Sequence, residues 1–401
     1  MLTREDSRSG LVELTYVKPP FSIPHQLDTC PTKGDFVTKR AEGKGQRAKA
    51  SWLLRAPIRY WRGSRWHKIV SVAVVFIALC IGTMYGIAVW YQHSQNGKPT
   101  TLGVSFVADY ATSLGLDSHK TFDAVLGDLH VKHLRLVSYW GDIEPTPGTY
   151  DFSELDWEMQ QAQAHGAKVS LAIGLRQPRW PECHAPSWVD TSKPESQWEP
   201  QLKAFMTAVI NRYKASPALQ SYQLENEYFN KFGACNNFDR GRLSSELALV
   251  KQLDPKHPVI MSRSNNYVGL MLKQPLPDIV GISVYRRVWS PPIGRYFQYP
   301  YPSWYYAFLA GGEKLLTGKN SVIHELQAEP WPPDGKSVQD TSLAIQNQTF
   351  DAERLKTTVK FAEQTGIKQI DLWGAEYWYY RMVIEHDPSV WHAAQTIFME
   401  H

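Results

Sequence analysis

"EPQLKAFMTAVINRYKASPALQSYQLENEY", residues 199–228, reads as one helix, one turn and one strand in order. In its first half, Leu202, Phe205, Met206, Val209 and Ile210 recur at the three- and four-residue spacing of a helix that buries one face. Ser216 and Pro217 break that pattern and start a turn. The chain then runs through a short strand into Glu225, Asn226 and Glu227. Two acids split by an amide could belong to a solvated loop. At a strand tip that faces a cleft, they could instead be half of a pair of working carboxylates. What surrounds the unit decides between these.

Working outward, the same alternation repeats. Strand candidates begin at Leu102 (LGVSF), His133 (HLRLVS), Lys168 (KVSLAIG) and Ser221 (SYQLE). They continue at Pro258 (PVIMS), Asp278 (DIVGISVY), Ser321 (SVIHE) and Gln369 (QIDLWG). Helical patterns lie between them, among them SHKTFDAVLGDL with Ser118 as its expected cap, SELDWEMQQAQAHG from Ser153, and DAERLKTTVKFAEQTG from Asp351. Eight strands alternating with helices over about 300 residues predict a (β/α)8 TIM barrel spanning 101–401. A doubly wound open sheet is the alternative, but no glycine-rich phosphate loop follows any strand.

The part before the barrel sets a different expectation. Residues 69–91, IVSVAVVFIALCIGTMYGIAVWY, carry no charge. About 23 residues of helix span roughly 35 Å, enough to cross a bilayer. Trp66 stands at the front edge, and Trp90 and Tyr91 at the back. Ten basic residues between Lys39 and Lys68 face one acid, Glu42. By the positive-inside rule, residues 1–68 form a cytoplasmic basic tail, largely disordered, and everything after a linker at 92–100 lies outside. The net charge of +4 therefore reflects the tail and its topology, not nucleic-acid binding. No cysteine or histidine cluster has metal-ligand spacing, and no cofactor is expected. Cys183 and Cys235 fall in the loops after strands three and four, neighbours in a barrel, so a disulfide between them is expected. Asn347 opens an NQT sequon, which matters only in a secretory pathway that glycosylates.

In a barrel the site lies at the C-terminal strand ends. Strand two carries Arg135 and runs into Tyr139 and Trp140. Strand four ends in Glu225, Asn226 and Glu227, and strand six in Tyr285. Strand seven ends in His324 and Glu325, and strand eight in Trp373. Acids at two tips, with arginine, tyrosine and tryptophan at others, suit glycosidic bond cleavage. One carboxylic acid protonates the leaving oxygen, and one carboxylate attacks the sugar. Strands four and seven stand on roughly opposite sides of the barrel, which makes Glu227 and Glu325 the catalytic candidates. Arg135 and Tyr285 are candidates to keep the nucleophile ionised. Glu225 is expected to point the same way as Glu227, one layer deeper, as its support. Glu329 is set aside because strand seven ends at Glu325, and His324 is expected to pack or hydrogen-bond. Trp140, Trp180, Trp188 and Trp331 lie in predicted rim loops, where about half are expected to touch substrate.

These motifs resemble the clan A glycoside hydrolases. There an Asn-Glu pair ends strand four with the Glu as acid/base, and a second Glu ends strand seven as nucleophile. ENEY and VIHELQAEPW match those patterns. YWGDIEPTPGTYDFSELD, residues 139–156, resembles the stretch after strand two in several clan families, including the family 42 β-galactosidases. Those also read Gln-x-Asp-Asn-Glu-Tyr at strand four, where this chain has Glu225 in place of Asp. The resemblance implies that Asn226 bonds the sugar 2-hydroxyl, Arg135 sits beneath the nucleophile, Tyr285 bonds it and Trp373 floors the subsite. The expectation is a membrane-anchored, extracytoplasmic retaining glycoside hydrolase acting on an oligo- or polysaccharide. Its rivals are a catalytically silent carbohydrate-binding barrel and a transglycosylase of surface polysaccharide.

Overall fold

Eight parallel strands close into a barrel in the computed structural model, which describes residues 64–234 and 237–401. They are β1 (Thr101–Ser105), β2 (His133–Leu136), β3 (Lys168–Ile173), β4 (Leu219–Leu224), β5 (Val259–Arg263) and β6 (Ile279–Val284). After a two-stranded hairpin, β7 (Arg287–Ser290) and β8 (Arg295–Gln298), come β9 (Asn320–Gln327) and β10 (Gln369–Trp373), the barrel's seventh and eighth strands. Each pairs in parallel with its neighbours, and β1 closes the ring on β10. All eight expected strands are present. The hairpin is additional.

The strands read as apolar runs because both faces are covered. Leu134 and Leu136 of β2 are buried, and so are His133 and Arg135 between them. By alternation the leucines meet the surrounding helices and the polar pair points into the barrel. The interior is unusually polar. His133 Nδ1 lies 2.6 Å from Asp371 Oδ1, and Ser170 Oγ 3.2 Å from His324 Nε2. Gly103 makes room for this layer, since a Cβ there would stand 2.6 Å from the His133 carbonyl and 2.8 Å from its ring nitrogen. His324 is fully buried, as a packing and hydrogen-bonding residue should be.

The helices follow their sequence signals with small corrections. The helix Ser118–Gly127 is capped by Asp117, which accepts from the Lys120 amide, so Ser118 is its first residue and not its cap. Asp117 serves better because its carboxylate also suits the positive end of the helix dipole. Glu199–Tyr213 begins with a proline in its first turn, and Ala352–Glu363 is capped by Asp351.

Before the barrel, one helix runs from Arg65 to Gln95, so the linker is shorter than the expected 92–100. It is long and apolar enough to cross a membrane. Phe76 and Leu79 are each 65% exposed on it. From Ala73 onward the chain forms one compact unit. Within that unit the helix is half-buried at Met84, meets Trp304 through Tyr85 and is buried at Ala88 and Tyr91. Of the expected tail at residues 1–68, residues 1–63, with Cys30, lie outside the described residues.

Candidate active site

The site is assembled by one arginine. Arg135 on β2 reaches across the barrel, donating to Gln223 Oε1 at 2.7 Å and to the His324 carbonyl at 2.8 Å. Its second terminal nitrogen donates to Asn226 Oδ1 at 3.0 Å and Glu325 Oε1 at 2.8 Å. The motif on β4 and the motif on β9 are thus joined through a single buried guanidinium. A planar fork with five fixed donors suits this in a way lysine could not.

Glu325 is held from both sides. Tyr285, at the tip of β6, donates its hydroxyl to Oε2 at 2.8 Å. Burial and the Glu325 charge push that phenol well above its ordinary range, so it remains a donor at any working pH. Glu227 is different. It is 5% exposed, and its Oε1 has no hydrogen-bond partner among the described residues. Burial first, and then the charge of Glu325, push its carboxyl up to about 7. The hydroxyls of Ser283 and Ser264 and the charge of Arg135 oppose that rise without cancelling it. Two carboxyls therefore stand in contrasting settings, one with a donor on each oxygen and one with an oxygen left unbonded. That contrast marks acid and base roles.

The local backbone explains how Glu227 gets there. β4 ends at Leu224, and Glu225 and Glu227 both take positive φ, 52° and 43°. Simple alternation therefore fails, and the expectation that Glu225 lies one layer below Glu227 is corrected. Glu225 points sideways, accepting from the Leu175 amide at 2.7 Å and from Arg242 at 3.0 Å. It ties the loop after β3 to the helix Arg240–Leu253. The Glu227 amide donates to Ser262 Oγ at 2.9 Å, which fixes the turn.

Asn226 is held at both ends of its amide. Its Oδ1 accepts from Arg135 and from Gln223, and its Nδ2 donates to Glu182 Oε2 at 2.9 Å. Nδ2 carries a second hydrogen, which a sugar hydroxyl could accept alongside the bond to Glu182. That third buried carboxyl escaped the sequence reading. Burial raises it well above 4.5, and Glu325 and Glu227 are among its charged neighbours. Arg179 grips Glu329 through two nitrogens at 2.9 and 3.1 Å. Trp373, at the tip of β10, donates its indole N–H to Glu329 at 2.7 Å. The Arg179 guanidinium lies 4.3 Å from the Trp373 ring centre.

Trp140 is not part of this group. It is fully buried, bonds Glu144 through its indole nitrogen at 2.7 Å and packs on Phe205 and Trp188. Residues Trp140–Ile143 form a helical turn that swings the ring away from the mouth into the helix layer. Trp180 and Trp331 remain on the rim, 76% and 42% exposed, and Trp331 meets the Tyr285 ring edge-on. Cys183 is disulfide-bonded. Its expected partner, Cys235, lies outside the described residues.

The closed eight-stranded barrel, with a carboxylate just past its fourth strand and another near the end of its seventh, resembles barrels of the clan A glycoside hydrolase type. The sequence model of the glycosyl hydrolase 42 family, described as β-galactosidase, matches residues 124–201. A probable mannan endo-1,4-β-mannosidase F from Neosartorya fischeri is 24% identical over 176 residues, 36% of this chain and 38% of the relative. The chain thus spans well under two thirds of that protein's length. Among solved structures, a GH5_18 protein from Bifidobacterium longum subsp. infantis superposes with a TM-score of 0.50 at 14% identity. That match covers 75% of this chain and 79% of the other, and it is a likeness of fold. The exo-β-1,4-mannosidase Op5Man5 from Opitutaceae bacterium strain TAV5 aligns at a TM-score of 0.47 and 14% identity, over 68% of this chain and 51% of its own.

Proposed function

We propose that the protein is a retaining glycoside hydrolase that cleaves β-linked sugars, with Glu227 as acid/base and Glu325 as nucleophile. The observation that carries this reading is the contrast between the two carboxyls. Glu325 accepts from Arg135 and Tyr285, whereas Glu227 has an unbonded oxygen and is pushed up to about 7. Near neutral pH a large fraction of Glu227 is therefore protonated and able to donate.

The steps follow from those settings. The anomeric carbon lies between the two carboxyls. Glu325 attacks it while the Glu227 proton passes to the leaving glycosidic oxygen, and the glycosidic C–O bond breaks. A glycosyl ester on Glu325 results. Glu227, now ionised, takes a proton from water as that water attacks the anomeric carbon. The ester C–O bond breaks, releasing Glu325 as carboxylate and Glu227 as acid. Arg135 and Tyr285 hold Glu325 ready for attack and receive it again as it leaves. In this reading Trp373 floors the sugar ring and Asn226 bonds a ring hydroxyl.

The names of the relatives point to β-mannosides and β-galactosides as the first substrates to try. The helix Arg65–Gln95 would anchor the enzyme by a single span, with the basic tail in the cytoplasm and the barrel outside. The test is steady-state kinetics of the full chain and of Glu227→Gln and Glu325→Gln on aryl β-glycosides of mannose, galactose and glucose. Each substitution should lower kcat by at least about 100-fold on the substrate that the parent cleaves. Turnover that survives both substitutions rules the assignment out.

A further inference from the structure

The anchoring helix says which way the barrel faces. The helix Ser303–Thr317 leaves the hairpin at the catalytic end of β6 and descends to β9, whose first residue pairs with the first residue of β6. Its Ser303 end is therefore at the mouth and its Thr317 end at the bottom. Tyr85 meets Trp304 near the mouth, with ring centres 5.8 Å apart. Further along, Ile87 and Tyr91 pack on Gly311, where a Cβ would stand 3.0 and 2.9 Å from their side-chain atoms. Gln92 then donates to the Gln364 carbonyl at 2.7 Å, close to where β10 begins at the bottom. The anchoring helix thus climbs from mouth to bottom, and its bare apolar part, before Met84, projects beyond the mouth.

Length places the bilayer. A hydrocarbon core of ~30 Å takes about 20 helical residues. Counted from Lys68, the last charge before the apolar run, that reaches about residue 88. The first contact with the rim, at Tyr85, comes slightly earlier, so the rim lies at the interface. Its composition suits that position. From Ile279 to Gly312 the chain has no acidic residue, three arginines (Arg286, Arg287, Arg295) and many aromatics. The hairpin tip exposes Ile293 and Phe297, 49% and 40%. Beside it, a cavity of about 180 Å³ is lined by Arg286, Arg287, Arg354, Gln327, Thr349 and Thr357 among others, with no carboxylate in its wall. The Nε atoms of Arg287 and Arg354 are buried there without hydrogen-bond partners among the described residues, although Asp351 stands 4.0 Å from the latter. Gln327 of this wall is two residues past Glu325.

We propose that the barrel mouth opens onto the membrane that its own helix crosses, and that its substrate is the glycan of an anionic membrane lipid, whose phosphate sits in the arginine-lined cavity. Guanidinium groups and hydroxyls recognise phosphate. Arginines and aromatics at a rim suit a lipid surface. This rests on the glycosidase reading for the reaction and on the single span for the orientation.

The orientation is tested without any turnover, so it stands or falls apart from the reaction. Full-length protein with Cys30→Ser and Cys80→Ser is labelled with bimane at Ile293→Cys or at Leu316→Cys, and reconstituted in phosphatidylcholine vesicles containing 20 mol% phosphatidylglycerol and doxyl lipid. Quenching at 293 and not at 316 is expected. Quenching at 316, or none at 293, overturns the orientation. The ligand class is tested by binding of dihexanoyl-phosphatidylglycerol below its micelle concentration, against inorganic phosphate. The lipid should bind more tightly, and Arg287→Ala with Arg354→Ala should weaken it by roughly 25-fold, about fivefold per arginine. If that double variant does not fold, Arg354→Gln alone should weaken it about fivefold. Unchanged affinity in the variants removes the cavity from the proposal, and equal affinity for free phosphate removes the lipid.

Discussion

Replacing Glu227 by glutamine should stabilise the fold, and do so only at high pH. The carboxyl ordinarily titrates at 4.5 and is pushed up to about 7 in the folded protein, chiefly by burial. That difference corresponds to about 3 kcal/mol. The sign follows from proton binding. Between 4.5 and about 7 the folded state holds a proton that the unfolded chain has lost, so stability falls as pH rises. Above pH 7 the folded protein carries the full penalty of a buried carboxylate next to Glu325. Below 4.5 both states are neutral and the penalty vanishes. Glutamine keeps the shape and removes the charge, although its amide also needs a partner, so the gain at pH 8 should be about 1–3 kcal/mol. For a barrel of this size that is a rise of roughly 2–5 °C in Tm. Intrinsic tryptophan fluorescence of both proteins in the same detergent, scanned from pH 4.5 to 8, measures it. The gap between them should open with pH. A gap that stays constant, or a variant that is less stable at pH 8, would refute the view that Glu227 is a buried carboxyl poised near neutrality.

Other consequences follow from particular contacts. Tyr285→Phe removes a donor to Glu325, so kcat should fall about 10–100-fold; an unchanged kcat would separate Tyr285 from the nucleophile. Trp140→Ala should cost about 3–5 kcal/mol in urea unfolding while leaving KM unchanged, because the ring fills the helix layer and not the site. Cys183→Ser should lower stability by about 2–4 kcal/mol through loss of its disulfide, measured by the same unfolding curves.

Much of this protein is legible in its sequence because a barrel strand announces itself by a short apolar run at a regular interval. The eight strands and the tips carrying Arg135, Glu227, Tyr285, Glu325 and Trp373 follow from that rhythm. What it could not reveal are features set by local backbone and tertiary contact. The hairpin Arg287–Ser290 with Arg295–Gln298 has no buried residue, and Pro291, Pro292 and Gly294 make it read as loop. Trp140 follows a strand tip in sequence, yet one helical turn carries its ring behind the rim. Glu225 and Glu227 are two apart, and alternation would align them, but two positive φ angles point them to different neighbours. Glu182 comes from a long loop after β3 whose path no periodicity encodes. Only its place among prolines and tryptophans in LRQPRWPECHAPSW hinted at a rim position.

The division of labour between Glu227 and Glu325 is tested most directly by trapping the ester. The full chain is incubated with activated 2-deoxy-2-fluoro β-glycosides of mannose, galactose and glucose, and the labelled peptide is sequenced by mass spectrometry. One glycosyl group on Glu325, absent from Glu325→Gln and slow to leave Glu227→Gln, is the predicted result. A label on Glu182, Glu329 or Glu227 instead, or turnover of the parent substrate without any trapped ester, would contradict it.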